Sequence, residues 1–157
     1  MNARTRTRQL LYQAELVLAM PQRLAPPQAD EHHDARRMAC EESALAMLEL
    51  ALASLIAEIT ETCRWPEMPW REVLACPPRA VAEVERLRTL QQDAGSWLAR
   101  LLANLDRLHS EDGAARRESR GSMIVSTQQA ALGDELRWYL DEFKQLLTEL
   151  RETGFEW

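Results

Sequence analysis

At 157 residues, the chain has the length of one domain and can bury a core without disulfides or metals. Hydrophobic residues make up 46% of it, whereas only 6% of residues are aromatic and five residues are glycine, a composition typical of helices rather than sheets. The formal net charge of −6 argues against a nucleic-acid-binding protein, since such proteins concentrate basic surface.

The first predicted helix runs from about Thr5 to Met20, where apolar residues recur on one side of a helix that turns by about 100° per residue. Tyr12 and Leu16 project from its other side. Pro21, followed by two further prolines, is expected to end this helix and to stiffen the connection after it.

Charge is distributed unevenly along the chain. Residues 1–23 carry a net charge of +3, residues 24–64 carry −5, and residues 133–157 carry −4. Phosphate could be contacted only at the N-terminal end, through Arg4, Arg6 and Arg8. Three arginines are too few to predict nucleic-acid binding, which we rank third among the possible functions.

A cytoplasmic location is expected. The apolar run that follows the first arginines is interrupted by Gln13 and Glu15, and no small-residue cleavage site follows, so we predict no signal peptide. No stretch approaches the length of uninterrupted apolar sequence that spans a bilayer. Cys40, Cys63 and Cys76 are odd in number and lack CxxC spacing, which favours reduced thiols over a disulfide framework.

The second predicted helix is the longest, from about Asp30 or Glu31 to Cys63, and it is apolar on nearly all sides. Such a helix belongs in the middle of a bundle.

The stretch "ADEHHDARRMACEE" at the start of the second helix combines two histidines, a cysteine and several carboxylates. His33 and Cys40 share a face, but Arg37 lies between them, and adjacent His32 and His33 point about 100° apart. Neither a Glu-x-x-His nor a His-Glu-x-x-His motif is present. The acidic residues are explained by the favourable interaction of carboxylates with a helix N-terminus, so we predict a helix start and no metal.

Helical periodicity continues through the rest of the chain and no strand signal competes with it. Four further helical segments are predicted, at about Trp70–Cys76, Pro78–Gln91, Trp97–His109 and Asp134–Thr153. Residues 110–132 are polar and are expected to form a mobile loop, in which the apolar residues 123–125 dock on the core. The prediction is a single all-α domain over residues 1–157, a bundle of four main helices with short extra helices in the connections.

Catalytic motifs are missing from the sequence, which contains no nucleophile elbow and no glycine-rich phosphate loop. The cysteines are best explained as small side chains filling gaps between helices. His109 and Asn104 are the only obvious polar residues on the inward side of a helix. We therefore predict no catalytic, cofactor or metal residues and lean against an enzyme.

The candidate contacts with a partner are Trp138, Tyr12 and Leu16. Trp138 lies about 200° around the last helix from Leu136, on its polar side. Two explanations remain open: the loop with Met123–Val125 covers Trp138, which we favour narrowly, or a partner does. Tyr12 and Leu16 form the second candidate contact, on the outer side of the first helix.

Several segments resemble those of a family of short helical proteins from pseudomonads and related bacteria that has no assigned function. They are "RTRTRQLLYQAEL", "ARRMACEESALAMLELALASLIAEI", "GSWLARLLANL" and the terminal "FEW". The resemblance covers most of the chain except residues 110–132. It implies a helical protein of the bacterial cytosol and carries over no catalytic residues.

These observations lead to the expectation of a non-enzymatic protein-interaction or regulatory adaptor, which could act as a homodimer. A protein partner or self-association is expected, without nucleic acid, membrane or cofactor. The alternative is a small-molecule or metal-dependent activity in the interior of the bundle, which would require polar groups inside the helix stripes.

Overall fold

The computed structural model describes residues 2–24, 32–116 and 131–153. Within these ranges the chain forms helices and no strands, which confirms the predicted all-α class. The helices are α1 (Ala3–Leu24), α2 (His33–Cys63), α3 (Trp70–Ala75), α4 (Ala82–Gln92), α5 (Trp97–Leu108) and α6 (Leu132–Thr153).

Helix α2 lies at the centre of the fold and packs against α1, α3, α5 and α6. Its sequence explains this position, because apolar side chains cover nearly all of its sides. Its buried residues are Glu41, Ala44, Leu45, Leu48, Ala51, Leu52, Leu55, Ile56 and Ile59. Among the described helices, α2 alone is long and apolar enough to cross a membrane, a test that central helices of soluble proteins also pass.

The start of α2 differs from the prediction. The helix begins at His33, and the side chain of His32 makes no capping hydrogen bond to its first amides. Asp34 lies in the first turn, where a carboxylate interacts favourably with the helix dipole. Asp30 and Glu31, on which the expected start also depended, lie outside the described residues.

Helix α1 lies along α2 and is longer than predicted. The hydroxyls of Thr7 and Ser54 are 3.0 Å apart, and Ser54 donates to the backbone carbonyl of Ala3 at 2.9 Å. The prediction that Pro21 ends the helix is wrong, since α1 continues to Leu24. Proline removes one backbone N–H, but its fixed φ is helical, and here the lost hydrogen bond affects only the last turn.

Helix α4 begins at Ala82 rather than near Pro78. The preceding residue, Val81, has an extended backbone (φ −132°, ψ 145°). Pro78 also disfavours a helical conformation for Pro77 before it. Trp65 and Trp70, on the connection from α2 to α4, are half-buried and pack against the core.

Helices α5 and α6 follow their predicted patterns closely. Ser96 caps α5 by accepting a hydrogen bond from the amide of Ala99 at 3.1 Å. Trp97 is buried, with its ring centroid 5.3 Å from that of Phe143 on α6. The inward side of α6 consists of Leu136, Tyr139, Leu140, Phe143, Leu146 and Leu147.

Two side chains of α2, Glu42 and Arg37, hold the chain that follows α5. Glu42 accepts hydrogen bonds from the backbone amides of Ala114 (2.9 Å) and Ala115 (3.2 Å), a contact we call the Glu42 anchor. Gly113 precedes them with a φ of +71°, and a Cβ added to it would lie 2.5 Å from Glu42 Oε1. Arg37 Nη2 also donates to the carbonyl of Arg116 at 2.7 Å. These contacts hold residues 114–116 of the expected loop against α2, whereas 117–130 lie outside the described residues.

Candidate interaction surface

Exposed apolar side chains line the outer side of α1. Leu10, Leu11, Ala14 and Leu18 point into the core. On the opposite side, Tyr12 is 60% exposed, Leu16 40% and Met20 44%. Each is four residues from the next, so the three follow one another along a single stripe of the helix.

A fourth exposed apolar residue lies on the neighbouring helix α2. Leu50, on α2, is 53% exposed and lies one helical turn before Ser54, whose hydroxyl contacts α1. Together, Tyr12, Leu16, Met20 and Leu50 are all the large hydrophobic residues exposed in the described part of the chain. We call the stripe of Tyr12, Leu16 and Met20 the outer face.

A groove between α1 and α6 runs beside the outer face. It has a volume of about 320 Å³ and is lined by Arg8, Leu11, Tyr12, Glu15, Lys144, Leu147, Thr148 and Arg151. Tyr12 therefore belongs to both surfaces. The Nζ of Lys144 contacts Glu15 Oε1 at 2.5 Å and bridges the two helices.

The two arginines of the groove have different surroundings. Arg151 Nη2 donates to Glu58 Oε2 at 2.9 Å and to the Arg4 carbonyl at 3.2 Å, while its buried Nε and Nη1 have no hydrogen-bond partner among the described residues. Arg8 is exposed, and its side chain makes no hydrogen bond or ion pair with the described residues. As far as the described chain shows, the guanidinium of Arg8 is thus available to bind an external carboxylate.

Trp138 is more enclosed than the residues of the outer face. It is half-buried and packs against the core, and the Arg100 guanidinium carbon lies 5.4 Å from its ring centroid. The Tyr139 ring centroid is 5.6 Å away. Arg100 is therefore one group that covers Trp138; the alternative cover, residues 123–125, lies outside the described residues.

A cluster of polar side chains joins α5 to α6. Asn104 is buried and its Nδ2 donates to the Tyr139 hydroxyl at 2.9 Å and to Glu135 at 3.3 Å. Tyr139 in turn donates to Glu135 at 3.1 Å, and Arg100 pairs with the same carboxylate. Burial raises the pKa of the Tyr139 hydroxyl above its ordinary 10.0, although Asn104 and Arg100 oppose the shift.

Of the two inward polar residues predicted, the structure places only one inside. Asn104 is buried in this cluster, where its amide is engaged by neighbouring side chains. The prediction for His109 is wrong: it caps the end of α5, its side chain is 60% exposed, and its Nε2 lies 2.8 Å from Glu49. His109 lies one residue beyond the end of α5, so its side chain does not continue the inward face of that helix.

The histidine-rich start of α2 lines a second cavity, of about 260 Å³. His33, Cys40 and Glu41 line it together with Arg37 and Arg137. Within the described ranges, no three histidine, cysteine, aspartate or glutamate side chains converge as a metal site would require. Burial, and secondarily the charge of Glu41, raises the pKa of the Cys40 thiol, which makes it a poor metal ligand or nucleophile.

The comparison with known proteins identifies a family. The chain matches a family of unknown function (DUF6586) over residues 1–157. The chain belongs to this family. No curated protein and no solved structure matches it. Membership of DUF6586 therefore assigns no activity to this chain. Its function has to be inferred from its own side chains.

The sequence did not predict three exposed residues that the structure places on or near the outer face and the groove. Met20 could have been found, because it lies eight residues after Tyr12 and continues its stripe. Leu50 could not, since an apolar residue on a central helix is expected to be buried. Arg8 was noticed only as part of a basic N-terminus, because its position beside α6 depends on tertiary packing.

Proposed function

We propose that this protein is a non-enzymatic protein-interaction module whose partner binds the outer face. The observation that carries the proposal is that three of the four large hydrophobic residues exposed in the described part of the chain lie on one stripe of α1. Scattered single residues of this kind need no explanation, whereas a group on one surface is typical of a binding site. Tyr12 supplies the aromatic anchor that interfaces favour.

The shape of the surface suits a helix as the binding segment. Tyr12, Leu16 and Met20 form a straight apolar row with the groove along one side. A helix that presents apolar residues at matching spacing would bury this row, in the manner of helices bound to hydrophobic grooves. Each Å² of apolar area so removed from water contributes about 25 cal/mol.

Trp138 has a smaller part in the proposal than Tyr12 and Leu16. Its ring already packs on the core and under Arg100, so less of it remains to be buried by a partner. The alternative of an activity in the interior finds little support, because Asn104 is occupied by Tyr139 and Glu135.

We further propose the setting in which this module works. The four helices α1, α2, α5 and α6 would form the main bundle, with α3 and α4 as short connecting helices. A bacterial cytosol is supported by the resemblance to proteins of pseudomonads. It is also supported by free thiols at Cys40, Cys63 and Cys76, which suit a reducing compartment.

The test introduces a charge into the outer face. Leu16→Glu should abolish capture of a partner from native cytosol, quantified by mass spectrometry, because a carboxylate in an apolar contact must lose its hydration. Ala103→Glu, an equally exposed site on α5, is the matched control and should keep the partner. Circular dichroism checks that both variants are folded.

Two results would contradict the proposal. One is an identical set of captured proteins for the parent and Leu16→Glu; the other is equal loss from Leu16→Glu and Ala103→Glu. Light scattering on the purified parent separately detects self-association, in which case the partner is a second copy of the chain.

A further inference from the structure

We infer that the partner carries an acidic segment and places a carboxylate in the α1–α6 groove, against Arg8. This inference rests on the proposed function, because it names the chemistry of the partner that binds beside the outer face. It depends on how charge is distributed over the groove and over the whole chain.

Arg8 is the one cation of the groove left without a counter-charge among the described residues. Lys144 is engaged by Glu15 at 2.5 Å, and Arg151 by Glu58 at 2.9 Å. Arg8 is exposed on the opposite wall with neither an ion pair nor a hydrogen bond in the same part of the chain. An incoming carboxylate would therefore find a guanidinium that does not first have to break an internal contact.

Arg151, largely buried in the wall of the groove, adds to the positive electrostatic potential there. Its side chain is only 10% exposed, and its Nε and Nη1 are buried with no hydrogen-bond partner in the described part of the chain. A partly compensated charge in such a low-dielectric wall acts over a longer distance than one in water. Arg151 is thus expected to attract an anion into the groove without contacting it, while Arg8 makes the direct contact.

The balance of charge makes the groove unusual for this protein. Arg8, Lys144 and Arg151 line the groove against two carboxylates, Glu15 and Glu58, which leaves an excess of one positive charge in a chain of net charge −6. Residues 1–23 carry +3 of their own. A second copy that docked its own basic α1 here would place like charges together, so local electrostatics favours a different partner with an acidic segment.

Apolar residues in the groove argue for a protein rather than a nucleic acid as the source of the negative charge. Leu11 and Leu147 form its floor, and Tyr12 joins it to the outer face. A phosphate backbone would leave this apolar area uncovered, since phosphate contacts are made by cations and hydrogen-bond donors. An amphipathic helix matches both features, with apolar residues on the outer face and an acidic residue beside them.

The spacing predicts where the acidic residue lies. Arg8 is one helical turn before Tyr12, so the carboxylate belongs about one turn beyond the partner residue that contacts Tyr12. The expected segment has apolar residues three or four positions apart, followed or preceded by Asp or Glu at the same interval. Its direction along α1 decides which of the two orders applies.

The experiment first identifies the binding segment. A photoreactive amino acid placed at Leu16 of the full chain is crosslinked in the native cytosol, and the attached peptide is sequenced by mass spectrometry. We expect an acidic amphipathic segment of another protein. That peptide, made synthetically, then becomes the probe for measuring the dissociation constant.

Charge exchange then tests the contact with Arg8. Arg8→Glu should weaken peptide binding by about tenfold at low salt, since it turns an attraction into a repulsion. A peptide in which the facing Asp or Glu is replaced by Lys should bind Arg8→Glu better than it binds the parent. Arg71→Glu, an exposed site on α3, is the control and should leave the affinity unchanged.

The outcomes separate the inference from the proposed function. A crosslinked protein segment whose binding is unaffected by Arg8→Glu, or a neutral or basic segment, overturns the inference and leaves the interaction module standing. A crosslink to nucleic acid, lipid or a second copy also overturns the inference. The absence of any crosslink to Leu16 removes both proposals.

Discussion

The first half of α6, which we call the paired half, differs from the second half in how fully its polar side chains are engaged by neighbouring side chains. Near the start of the helix, Glu135 and Tyr139 join Asn104 and Arg100 of α5 in a cluster where each side chain has hydrogen-bond or ion-pair partners. Near the end of the helix, Lys144 and Arg151 meet α1 across an open groove, where two nitrogens of Arg151 have no hydrogen-bond partner within residues 2–24, 32–116 and 131–153.

This difference separates polar residues that hold the fold together from those available for binding. A buried polar group that is fully paired is costly to disturb, because its partners are left unsatisfied inside the protein. An exposed cation such as Arg8 contributes little to folding, so its placement is better explained by what it can bind. The following predictions test this contrast, beginning with the largest expected effect.

Replacing Asn104 by Leu should strongly destabilise the paired half of α6. The change removes the donor to Tyr139 and Glu135 and leaves both groups in place around an apolar side chain. We expect the free energy of unfolding to fall by about 2–3 kcal/mol. Urea denaturation measures this change, and a loss below about 0.5 kcal/mol would show that the cluster does not stabilise the fold.

Gly113→Ala should have the next largest effect, because it strains the Glu42 anchor rather than the α6 cluster. A Cβ at a φ of +71° is unfavourable, and this one would lie 2.5 Å from Glu42 Oε1. A loss of about 1–2 kcal/mol in the free energy of unfolding is expected. Gly95→Ala, whose Cβ would meet only Asp93 at 3.4 Å, serves as the matched control.

Alkaline pH should lower the free energy of unfolding through the ionisation of Tyr139, in the paired half of α6. Its pKa is raised in the folded protein, so below about pH 10 both states hold the proton and the full stability is present. Above that pH the unfolded tyrosine loses its proton first. The free energy of unfolding then falls by up to about 1.4 kcal/mol per pH unit until the folded pKa is passed.

Tyr139→Phe isolates this contribution. The variant should lack the tyrosine part of the decline, so its stability difference from the parent should change between pH 9 and pH 11, values chosen to bracket the ordinary tyrosine pKa. Urea unfolding at both pH values provides the measurement. A difference that stays constant would mean that the raised pKa of Tyr139 has no influence on folding.

Arg8→Gln should have the smallest effect on stability, below about 0.5 kcal/mol, since the side chain is exposed and has no ion pair in the described part of the chain. The same urea measurement applies. If Arg8→Gln destabilised the protein as much as Asn104→Leu, the contrast between the two halves of α6 would be lost and Arg8 would be a structural residue.

The sequence predicted the helices well because amphipathic periodicity is a local property. The inward residues of α6 and the capped start of α5 could be recognised from neighbouring residues alone. Helix ends were less predictable. Pro21 is accommodated inside α1, and α4 begins after its prolines, since both outcomes depend on backbone packing as well as on proline chemistry.

The candidate site was predictable only in part. Tyr12 and Leu16 were evident from their position opposite the apolar stripe, and the structure leaves both exposed. The groove, by contrast, requires Arg8 and Lys144 to be brought together from the two ends of the sequence. No local pattern contains that information, and the same is true of the Glu42 anchor, whose partners are separated by 72 residues.

The Glu42 anchor also marks a place where the chain can be extended. Because the carboxylate fixes the amides of Ala114 and Ala115, the helices from α2 to α5 are closed into a loop before the chain continues past Arg116. A fluorescent domain inserted directly after Arg116 would thus be attached beyond the Glu42 anchor. Such a fusion would report on the protein in living cells while the outer face, on α1, kept its own side chains.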